Sequence, residues 1–497
     1  MDGGFDPDAV RLPTGSFVGG AYVKSDGAEI AVARPSDGRI VARFAGATGD
    51  TIERAVEAAE QALKASRWSG REPRERGAVL RRWADLVDAH TEELARLESL
   101  SSSRIIAETR IRDVRITSEL LRFYAECADK IEGQVLATRD DVFSLTLREP
   151  YGIVGAIAPW NVPMVLAAAK FAPALAAGNA VILKPSELTP FTALRMAELA
   201  VEAGLPAGLF NVVVGYGPEA GSPLVRHSKV GVISFTGSTA TGISIMTEAA
   251  HAGLKPVSLE LGGKSPQLVF ADVADIDYVA DQVAAGACRN AGQLCYCGSR
   301  LVVQRSIADE LVAKVIDRMK NAAAGPTWNT DTTLAPIISR KQADRIADIV
   351  TRSRAAGDTV LLGGGTTDGP DFEGENGGAY FQPTVIQSRV GSPVVEEEVF
   401  GPVLAVQTFD DFEEGLAKAD HSTYGLAGAV HTSNIDKALT AARRIPAGMI
   451  WVNTYGRSLD VGSPFGGYKQ SGFGKDFGVA AFEKYFKGKS VWIQLRP

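Results

Sequence analysis

The sequence is poor in the residues that build disulfide scaffolds and zinc sites. Its 497 residues include five histidines and four cysteines, which are Cys127, Cys288, Cys295 and Cys297. No two cysteines form a C-x-x-C motif, and no H-E-x-x-H motif occurs. We therefore expect neither a disulfide framework nor a bound metal.

Long apolar runs and an excess of positive charge are lacking too. The most apolar stretch, 162–183, is interrupted by Lys170 and Asn179, so it predicts no membrane span. The acidic start MDGGFDPDAVRLP lacks the basic region and the apolar core of a signal peptide. The formal net charge of −7 argues against nucleic-acid and anionic-membrane partners. We expect a cytoplasmic protein with no nucleic-acid or membrane partner.

The sequence does contain a regular alternation of short apolar runs and helical patterns. In the middle of the chain, strands are predicted at 152–158, 180–183, 210–214, 230–235 and 257–261, with helices between them. The second half continues with strands at 301–304, 404–408, 426–431 and 449–452. Because strands that alternate with helices form parallel βαβ units, we predict two doubly wound α/β domains.

The segments before and after this region are less regular. Helices are predicted from an N-cap at Asp50, over 72–100 and over 110–130. Residues 141–148 alternate as a strand with one apolar face. The last apolar strand, 490–495, has no obvious partner nearby in the sequence.

Several motifs could carry chemistry, although each alone also has a structural explanation. Gly237–Gly242 opens a helix whose N-terminus could hold a pyrophosphate, but a plain helix cap is commoner. Lys184 and Glu187 follow a strand and could hold ribose hydroxyls or form a solvated pair. Cys295 could be a nucleophile or a buried apolar residue. Glu260 ends an apolar strand, where a carboxylate is costly unless it is paired or used.

Taken in order, the motifs resemble those of the NAD(P)-dependent aldehyde dehydrogenases. The matching segments are Pro159-Trp160-Asn161, Lys184-Pro185-Ser186-Glu187, Phe235-Thr236-Gly237-Ser238, Leu259-Glu260-Leu261-Gly262-Gly263-Lys264, Gly292-Gln293-x-Cys295, Glu398-Val-Phe400-Gly401-Pro402 and Pro464-Phe465-Gly466-Gly467. The resemblance extends from about residue 15 to the C-terminus. It implies an enzyme of the hydrolytic, non-acylating type.

The resemblance also implies a division into three domains. A Rossmann-like cofactor domain would take residues 1–130 and 150–262, and a catalytic domain residues 263–475. Residues 131–149 and 476–497 would form a small β oligomerisation domain. The C-terminal strand would then find its partner on another subunit, in a homodimer or a dimer of dimers.

The roles of individual residues follow from the same resemblance. Cys295 would attack the aldehyde as a thiolate, Asn161 would hold the oxyanion, and Glu260 would activate the water that hydrolyses the thioester. Lys170 would take part in proton relay from that base. The residues implied in binding the cofactor are Trp160, Lys184, Ser186, Glu187, Gly237, Ser238, Glu398 and Phe400. The residues implied in lining the substrate tunnel are Val162, Leu166, Leu294, Tyr296, Arg457 and Phe465.

The implied cofactor is NAD, and NADP is less favoured because its 2′-phosphate would meet the Glu187 carboxylate. An apolar tunnel favours medium-chain aliphatic or aromatic aldehydes. Arg457 leaves open a semialdehyde, whose far carboxylate it could bind, and aromatic tunnel residues leave open betaine aldehyde.

Three further points bear on this interpretation. Glu260 argues against an enzyme that passes its acyl group to coenzyme A, because that transfer needs no base for water. A catalytically silent structural or binding protein on the same fold is the alternative from another class. Asp476 stands where the family usually has Glu, which predicts a longer proton relay or one that includes a water.

Overall fold

The computed structural model describes residues 4–367, 379–456 and 460–496. In these ranges the helices are α1 Gly49–Ser66, α2 Pro73–Ala89, α3 Thr91–Ser101, α4 Ile106–Glu108, α5 Val114–Cys127, α6 Pro163–Ala176, α7 Phe191–Glu202, α8 Ser222–Arg226, α9 Thr239–His251, α10 Ile276–Cys288, α11 Arg305–Lys320, α12 Arg340–Ala355, α13 Pro393–Glu396, α14 Phe412–Ala419, α15 Ile435–Arg444 and α16 Gly478–Glu483. Short 3₁₀ turns cover Trp68–Gly70 and Arg289–Gly292, and π-turns cover Thr109–Asp113 and Gly217–Gly221.

The strands are mostly short apolar runs, as the sequence predicts for buried parallel sheets. They are β1 Ser16–Val18, β2 Ala21–Val23, β3 Glu29–Ala33, β4 Ile40–Ala45, β5 Val135–Leu136, β6 Val142–Pro150, β7 Ile153–Ile157, β8 Ala180–Lys184, β9 Phe210–Val212, β10 Val230–Thr236, β11 Val257–Glu260, β12 Pro266–Val269, β13 Arg300–Gln304, β14 Thr359–Leu362, β15 Thr366–Thr367, β16 Tyr380–Phe381, β17 Thr384–Gln387, β18 Val403–Phe409, β19 Tyr424–Gly425, β20 Ala427–His431, β21 Met449–Val452, β22 Tyr468–Lys469, β23 Gly472–Phe473 and β24 Phe486–Gln494.

The first large sheet has the strand order β2-β1-β9-β8-β7-β10-β11-β23. Its strands β9, β8, β7, β10 and β11 are parallel, and helices connect them. The order reverses between β7 and β10, so the carboxyl ends of these two strands form the crevice in which such sheets bind ligands. The predicted Rossmann-like, doubly wound sheet is confirmed.

The second large sheet has the order β14-β17-β18-β13-β12-β20-β21. All neighbours from β17 to β21 pair in parallel, and β14 is an antiparallel edge strand. Buried apolar residues pack in one large cluster around the first sheet and in three clusters around the second. The predicted second α/β unit is therefore confirmed, whereas the domain boundaries stay a prediction.

The C-terminal strand corrects one expectation. All of β24 pairs antiparallel with β6 of the same chain, from Phe486 opposite Pro150 to Gln494 opposite Val142. The expectation that this strand needs a partner on another subunit is wrong. More than 300 residues separate the two strands in sequence, which is why local patterns could not reveal the pair.

Two details of the N-terminal helices also differ from expectation. The N-cap of α1 is Thr48 rather than Asp50, and the Thr48 N–H donates to Thr51 Oγ1 at 3.3 Å. The helix predicted over 72–100 is broken at His90. There Thr91 Oγ1 donates to the carbonyl of Asp88 at 2.7 Å, so a side chain replaces a helical backbone donor.

The described ranges contain neither a membrane-spanning helix nor a cluster of metal ligands. No helix among these residues has the length and apolar character needed to span a membrane. In the same ranges, no group of three or more His, Cys, Asp or Glu side chains could hold a metal ion.

Candidate active site

Two cavities meet at the carboxyl edge of the first sheet. One has a volume of about 80 Å³ and the other about 440 Å³. Asn161, Leu166 and Cys295 line both of them. A small molecule in the first cavity and a larger one in the second would therefore come together at the Cys295 thiol.

The smaller cavity contains most of the predicted tunnel residues. Its lining comprises Arg104, Arg112, Asp113, Ile116, Asn161, Val162, Val165, Leu166, Arg289, Leu294, Cys295, Tyr296, Asp460, Phe465 and Phe477. Of the predicted residues, only Arg457 is missing from this list, because it lies outside the described residues. The wall is less uniformly apolar than expected, since three arginines and two aspartates belong to it.

Charged residues on this wall are largely paired. Arg104 is buried and forms a bidentate bond with Asp113, at 2.7 and 2.8 Å. Arg104 Nη1 also lies 2.8 Å from Glu108. Arg289 has a weaker ion pair, with 3.6 Å between its Nε and Glu108 Oε1. The guanidinium of Arg289 is thus the less tightly held of these two arginines.

The loop before Cys295 is built on an unusual turn. Asn290, Ala291 and Gly292 all have positive φ, at 52°, 50° and 71°. Each non-glycine residue in this conformation costs about 1–2 kcal/mol, so surrounding bonds must hold the turn. A Cβ at Gly292 would overlap the carbonyl of Gly401, which explains glycine in the Gly-Gln-x-Cys motif.

Side-chain amides supply those bonds. Asn290 Nδ2 donates to the carbonyl of Asn161 at 3.1 Å. Gln293 is fully buried, and its Nε2 donates to the carbonyls of Asn290 and Pro336 at 3.1 and 3.0 Å. The Ile338 N–H donates to Gln293 Oε1 at 2.9 Å. Hydrogen bonds to both the nitrogen and the oxygen of the Gln293 side-chain amide therefore hold the loop in place.

The three neighbouring cysteines have different environments. Cys295 lines both cavities, whereas Cys297 is buried and donates to the carbonyl of Ala287 at 3.6 Å. Cys288 lines a separate cavity. Burial raises the pKa of Cys288 and Cys297 to about 12. Burial and the carboxylates of Glu398 and Glu260 also raise the pKa of Cys295.

Asn161 stands beside the thiol in both cavities. It follows β7 and is 4% exposed. Its Nδ2 donates to the carbonyl of Gln293 at 2.9 Å. This hydrogen bond holds the Asn161 amide at the cavity wall that Cys295 also lines.

Glu260 is not among the described residues that line either cavity. It ends β11 and is 2% exposed, and neither carboxylate oxygen has a hydrogen-bond partner among the described residues. Oε1 lies against Gly466, where a Cβ would overlap it. Burial, and next the charge of Asp476, raise the pKa of Glu260 well above its ordinary value.

A buried charged group adjoins Glu260. Lys170 Nζ lies 3.3 Å from both Asp476 Oδ2 and Ser234 Oγ. Lys484 Nζ donates to Asp476 Oδ1 at 2.5 Å. Burial favours neutral Asp476, but the two lysines outweigh it and hold its pKa below the ordinary value. Asp476 therefore contacts Lys170 directly, whereas the length of the relay from Glu260 stays a prediction.

The larger cavity has the features of a dinucleotide cleft. Its lining comprises Pro159, Trp160, Asn161, Leu166, Thr236, Gly237, Ser238, Thr239, Ala240, Leu261, Gly262, Cys295, Gln342, Arg345, Glu398, Phe400 and Tyr424. Ser238 caps α9 by accepting from the Thr241 N–H at 3.2 Å. The amide-rich start of α9 faces this cleft, and such a helix start is suited to a pyrophosphate.

Glu398 and Phe400 close the other side of the cleft. Glu398 Oε1 accepts from the Gly263 N–H at 2.9 Å, and burial raises the pKa of this carboxyl to about 7. The Phe400 ring meets Trp160 edge to face, at 5.3 Å and 85°. Arg345 donates to the carbonyls of Glu398 and Val399 at 2.8 and 3.0 Å.

Three predicted cofactor residues lie farther along the same sheet edge. Lys184 ends β8, and its Nζ is 3.5 Å from Glu187 Oε2. Ser186 Oγ accepts from the Leu188 N–H at 3.3 Å. None of the three is among the described residues that line the larger cavity, but β8 adjoins β7 in parallel. A ligand that extends from the cleft across β8 would reach them.

Several residues of the site were not predicted from the sequence. Arg289 is six positions before Cys295 at the end of α10, so its position alone could have indicated it. Arg112 and Lys484 gave no such signal, because only the tertiary fold brings them near the cavity and Asp476. Arg345 acts through backbone carbonyls, which no sequence motif records.

Comparisons with known proteins agree with this geometry. The model of the aldehyde dehydrogenase family matches residues 22–491. The chain is 41% identical to the NADP/NAD-dependent aldehyde dehydrogenase PuuC of Escherichia coli over 458 residues, covering 92% of this chain and 90% of that protein. It is 39% identical to the aminoacetaldehyde dehydrogenase of Pseudomonas aeruginosa, covering 97% and 96%.

Solved structures show the same similarity. The indole-3-acetaldehyde dehydrogenase of P. syringae, in complex with NAD⁺, superposes with a TM-score of 0.95 at 38% identity and covers 98% of both chains. The gamma-glutamyl-gamma-aminobutyraldehyde dehydrogenase of Burkholderia cenocepacia gives a TM-score of 0.95 at 41% identity, covering 99% of this chain and 98% of that one.

Proposed function

This chain belongs to the aldehyde dehydrogenase family and is an NAD(P)-dependent enzyme, and on that premise we propose that it oxidises an aldehyde to a carboxylate at Cys295. The observation that carries the proposal is that Cys295 and Asn161 line both cavities. A substrate carbonyl and a cofactor can therefore both reach one thiol. Glu260 favours hydrolysis as the way in which the acyl group is released.

The residues of the larger cavity fit NAD. The start of α9 with Ser238 would hold the pyrophosphate, Glu398 the nicotinamide ribose, and Lys184 with Glu187 the adenosine ribose. Trp160 and Phe400 would pack beside the nicotinamide. When bound, NAD would accept the hydride that leaves the aldehyde carbon, which converts the adduct of that carbon with the Cys295 sulfur into a thioester.

Cys295 would act first. Its thiolate forms a bond to the aldehyde carbon, and the carbonyl π electrons move to the oxygen. Only the thiolate is nucleophilic, yet burial raises the pKa of Cys295. The proton must therefore leave before or during attack, so activation is part of the reaction.

Asn161 would stabilise the oxyanion that this attack creates. Its Nδ2 is a side-chain donor on the wall that Cys295 also lines. The Cys295 backbone N–H would provide a second donor. One donor of this kind contributes about 3 kcal/mol to the barrier reduction.

Glu260 would then serve the hydrolysis of the thioester. Its carboxylate takes a proton from water, the water oxygen bonds to the acyl carbon, and the carbon–sulfur bond breaks to release the acid and the thiolate. Because Glu260 is not among the described residues that line either cavity, its side chain would turn towards Cys295 for this step. The Asp476–Lys170 pair beside it offers a route for the proton.

For the substrate, we favour medium-chain aliphatic or aromatic aldehydes. Val162, Leu166, Leu294 and Phe465 surround the cavity next to Cys295, and each buried CH₂ of a substrate gains about 0.8 kcal/mol. A semialdehyde is the second candidate, favoured by the position of Arg289 on the same wall.

The assembly and domain organisation are further parts of the proposal. We infer that β5, β6 and β24 form an oligomerisation domain. Leu136, Phe143, Trp492 and Ile493 of this small sheet expose 40%, 42%, 68% and 45% of their surfaces. Apolar exposure of this extent favours a covered surface, in a homodimer or a dimer of dimers.

A kinetic screen tests the proposed function. The rate of NADH or NADPH formation is measured with benzaldehyde, hexanal, betaine aldehyde and succinate semialdehyde, with Cys295→Ser as the control. We expect the highest kcat/KM with hexanal or benzaldehyde and with NAD. No turnover above the control with any aldehyde would contradict the function. A lead of about tenfold for succinate semialdehyde that Arg289→Ala removes would establish the second candidate.

A further inference from the structure

The helix at the floor of the active site lacks a cap of its own. Helix α6 begins at Pro163, two positions after Asn161, and carries Leu166. Asn161 and Leu166 line both cavities. Its N-cap is Val162, which makes no side-chain capping bond. A valine side chain cannot accept a hydrogen bond from the first amides of a helix, and such amides need partners when they are buried.

Val162 is both the N-cap of α6 and part of the cavity wall. Pro163 at the first helical position has no N–H, and the Leu166 N–H bonds to the carbonyl of Val162 at 3.1 Å. The next amide of the first turn, Met164 N–H, therefore needs an acceptor from elsewhere in the chain.

Glu98 provides that acceptor from α3. Its Oε1 accepts from the Met164 N–H at 2.9 Å, and its Oε2 accepts from Thr192 Oγ1 at 2.7 Å. Glu98 is 1% exposed. A buried carboxylate is costly unless it is hydrogen-bonded, and here both oxygens are used to join α3, α6 and α7.

Other charged groups around Glu98 do not explain its position. Burial is the main cause that raises the pKa of Glu98 to about 7. The charge of Asp113 also raises this pKa, and the charge of Arg104 lowers it. These two residues bond to each other, and no ion pair with Glu98 is present among the described residues. The bonds to α6 and α7 are the polar contacts that remain.

We propose that Glu98 is a positioning residue of the active site, which holds the first turn of α6 and thereby sets the position of Asn161 beside Cys295. This inference rests on the proposed function for its kinetic readout. It deepens that function, because it assigns a role to a residue that touches neither cavity.

Three variants separate positioning from general stability. Glu98→Ala removes both bonds. Glu98→Gln keeps an acceptor for Met164 N–H and can donate to Thr192 Oγ1. Thr192→Val is the matched control, because it removes only the bond to α7. Activity is expressed per subunit that takes up a single iodoacetamide label, counted by intact mass and located at Cys295 by peptide mapping, because unfolded subunits expose all four cysteines and take up more labels.

We expect Glu98→Ala to lower kcat per labelled subunit by about tenfold or more, with the KM for NAD little changed. Glu98→Gln and Thr192→Val should stay within about threefold of the parent enzyme, although Thr192→Val should lower Tm. The proposal is overturned if Glu98→Ala stays within that range, or if Glu98→Gln is as slow as Glu98→Ala. If Glu98→Ala does not fold, Glu98→Asp replaces it, because its shorter side chain withdraws the carboxylate from Met164.

The rate of Cys295 alkylation without cofactor gives an independent readout. A displaced α6 changes the wall beside the thiol, so Glu98→Ala should alter this rate by about threefold or more while Thr192→Val does not. An unaltered rate would count against the proposal. If the parent enzyme oxidises no aldehyde, the proposed function fails, and the alkylation rate still tests Glu98.

Discussion

The charge of Asp476 should set the pH at which the enzyme becomes active. Glu260 must be deprotonated to act as a base, so kcat should rise as the pH increases through the pKa of Glu260. That pKa is raised by burial and next by Asp476, while Lys484 and Lys170 oppose the rise. Asp476→Asn removes the negative charge that opposes ionisation of Glu260. The pKa of Glu260 should therefore fall, so activity should persist to lower pH.

The size of the shift follows from the geometry. Thr236 is the neighbour of Glu260 across the β10–β11 pair, and its Oγ1 lies 3.5 Å from Asp476 Oδ2. The two carboxylates are therefore close enough to interact, and Asp476 raises the pKa of Glu260. For two unit charges about 8 Å apart, an effective dielectric constant near 20 gives about 2 kcal/mol, which corresponds to about 1.5 pKa units.

The assay is the pH dependence of kcat, with Asp476→Glu as the control that keeps the charge. We expect the acid limb of Asp476→Asn to move to lower pH by about one unit or more, and that of Asp476→Glu to move little. Removing one partner of a buried ion pair costs about 3–5 kcal/mol, so Tm must be measured to choose a temperature at which the variant is folded. An acid limb that stays in place or moves to higher pH would refute the reasoning.

Three further predictions concern the loop and the cofactor edge. Cys295→Ser should abolish aldehyde turnover while Cys297→Ser retains most of it, and the reverse result would show that the nucleophile is misassigned. Gly292→Ala should lower both Tm and kcat, because its Cβ would overlap Gly401 in a left-handed turn; Gly70→Ala, with nothing near its Cβ, is the control, and equal effects would contradict the explanation. Glu187→Gln should raise kcat/KM for NADP relative to NAD by about tenfold, because it removes a like charge; an unchanged ratio would exclude Glu187 from cofactor selection.

Much of the fold was predictable because the buried parallel strands are short, mostly apolar runs between helical patterns. The strands ending at Lys184 and Glu260 are examples, since period and turn residues define them locally. The pair of β6 and β24 was not predictable, because neither strand contains information on its distant partner. The N-cap of α1 was predicted at Asp50 and is Thr48. The two polar residues are two positions apart, and the local sequence does not show which of them begins the helix.

The candidate site was predictable in its motif residues and not in their supports. Gly292 and Cys295 stand out by spacing, and the fold brings the cysteine to both cavities. Lys484 on Asp476 and Glu98 on Met164 are contacts between distant segments. Charged residues that act in this way look like ordinary helix residues in the sequence, because their partners are set by packing alone.

Trapping the acyl-enzyme tests the central claim most directly. Glu260→Gln is mixed with benzaldehyde and NAD, and the protein is analysed by intact mass and peptide mapping while NADH is recorded. The account predicts one acyl group per active subunit, on the peptide position of Cys295, formed together with an equivalent amount of NADH and lost slowly. An acyl group on Cys297 or Cys288, or NADH formation with no acyl group on any cysteine, would contradict it.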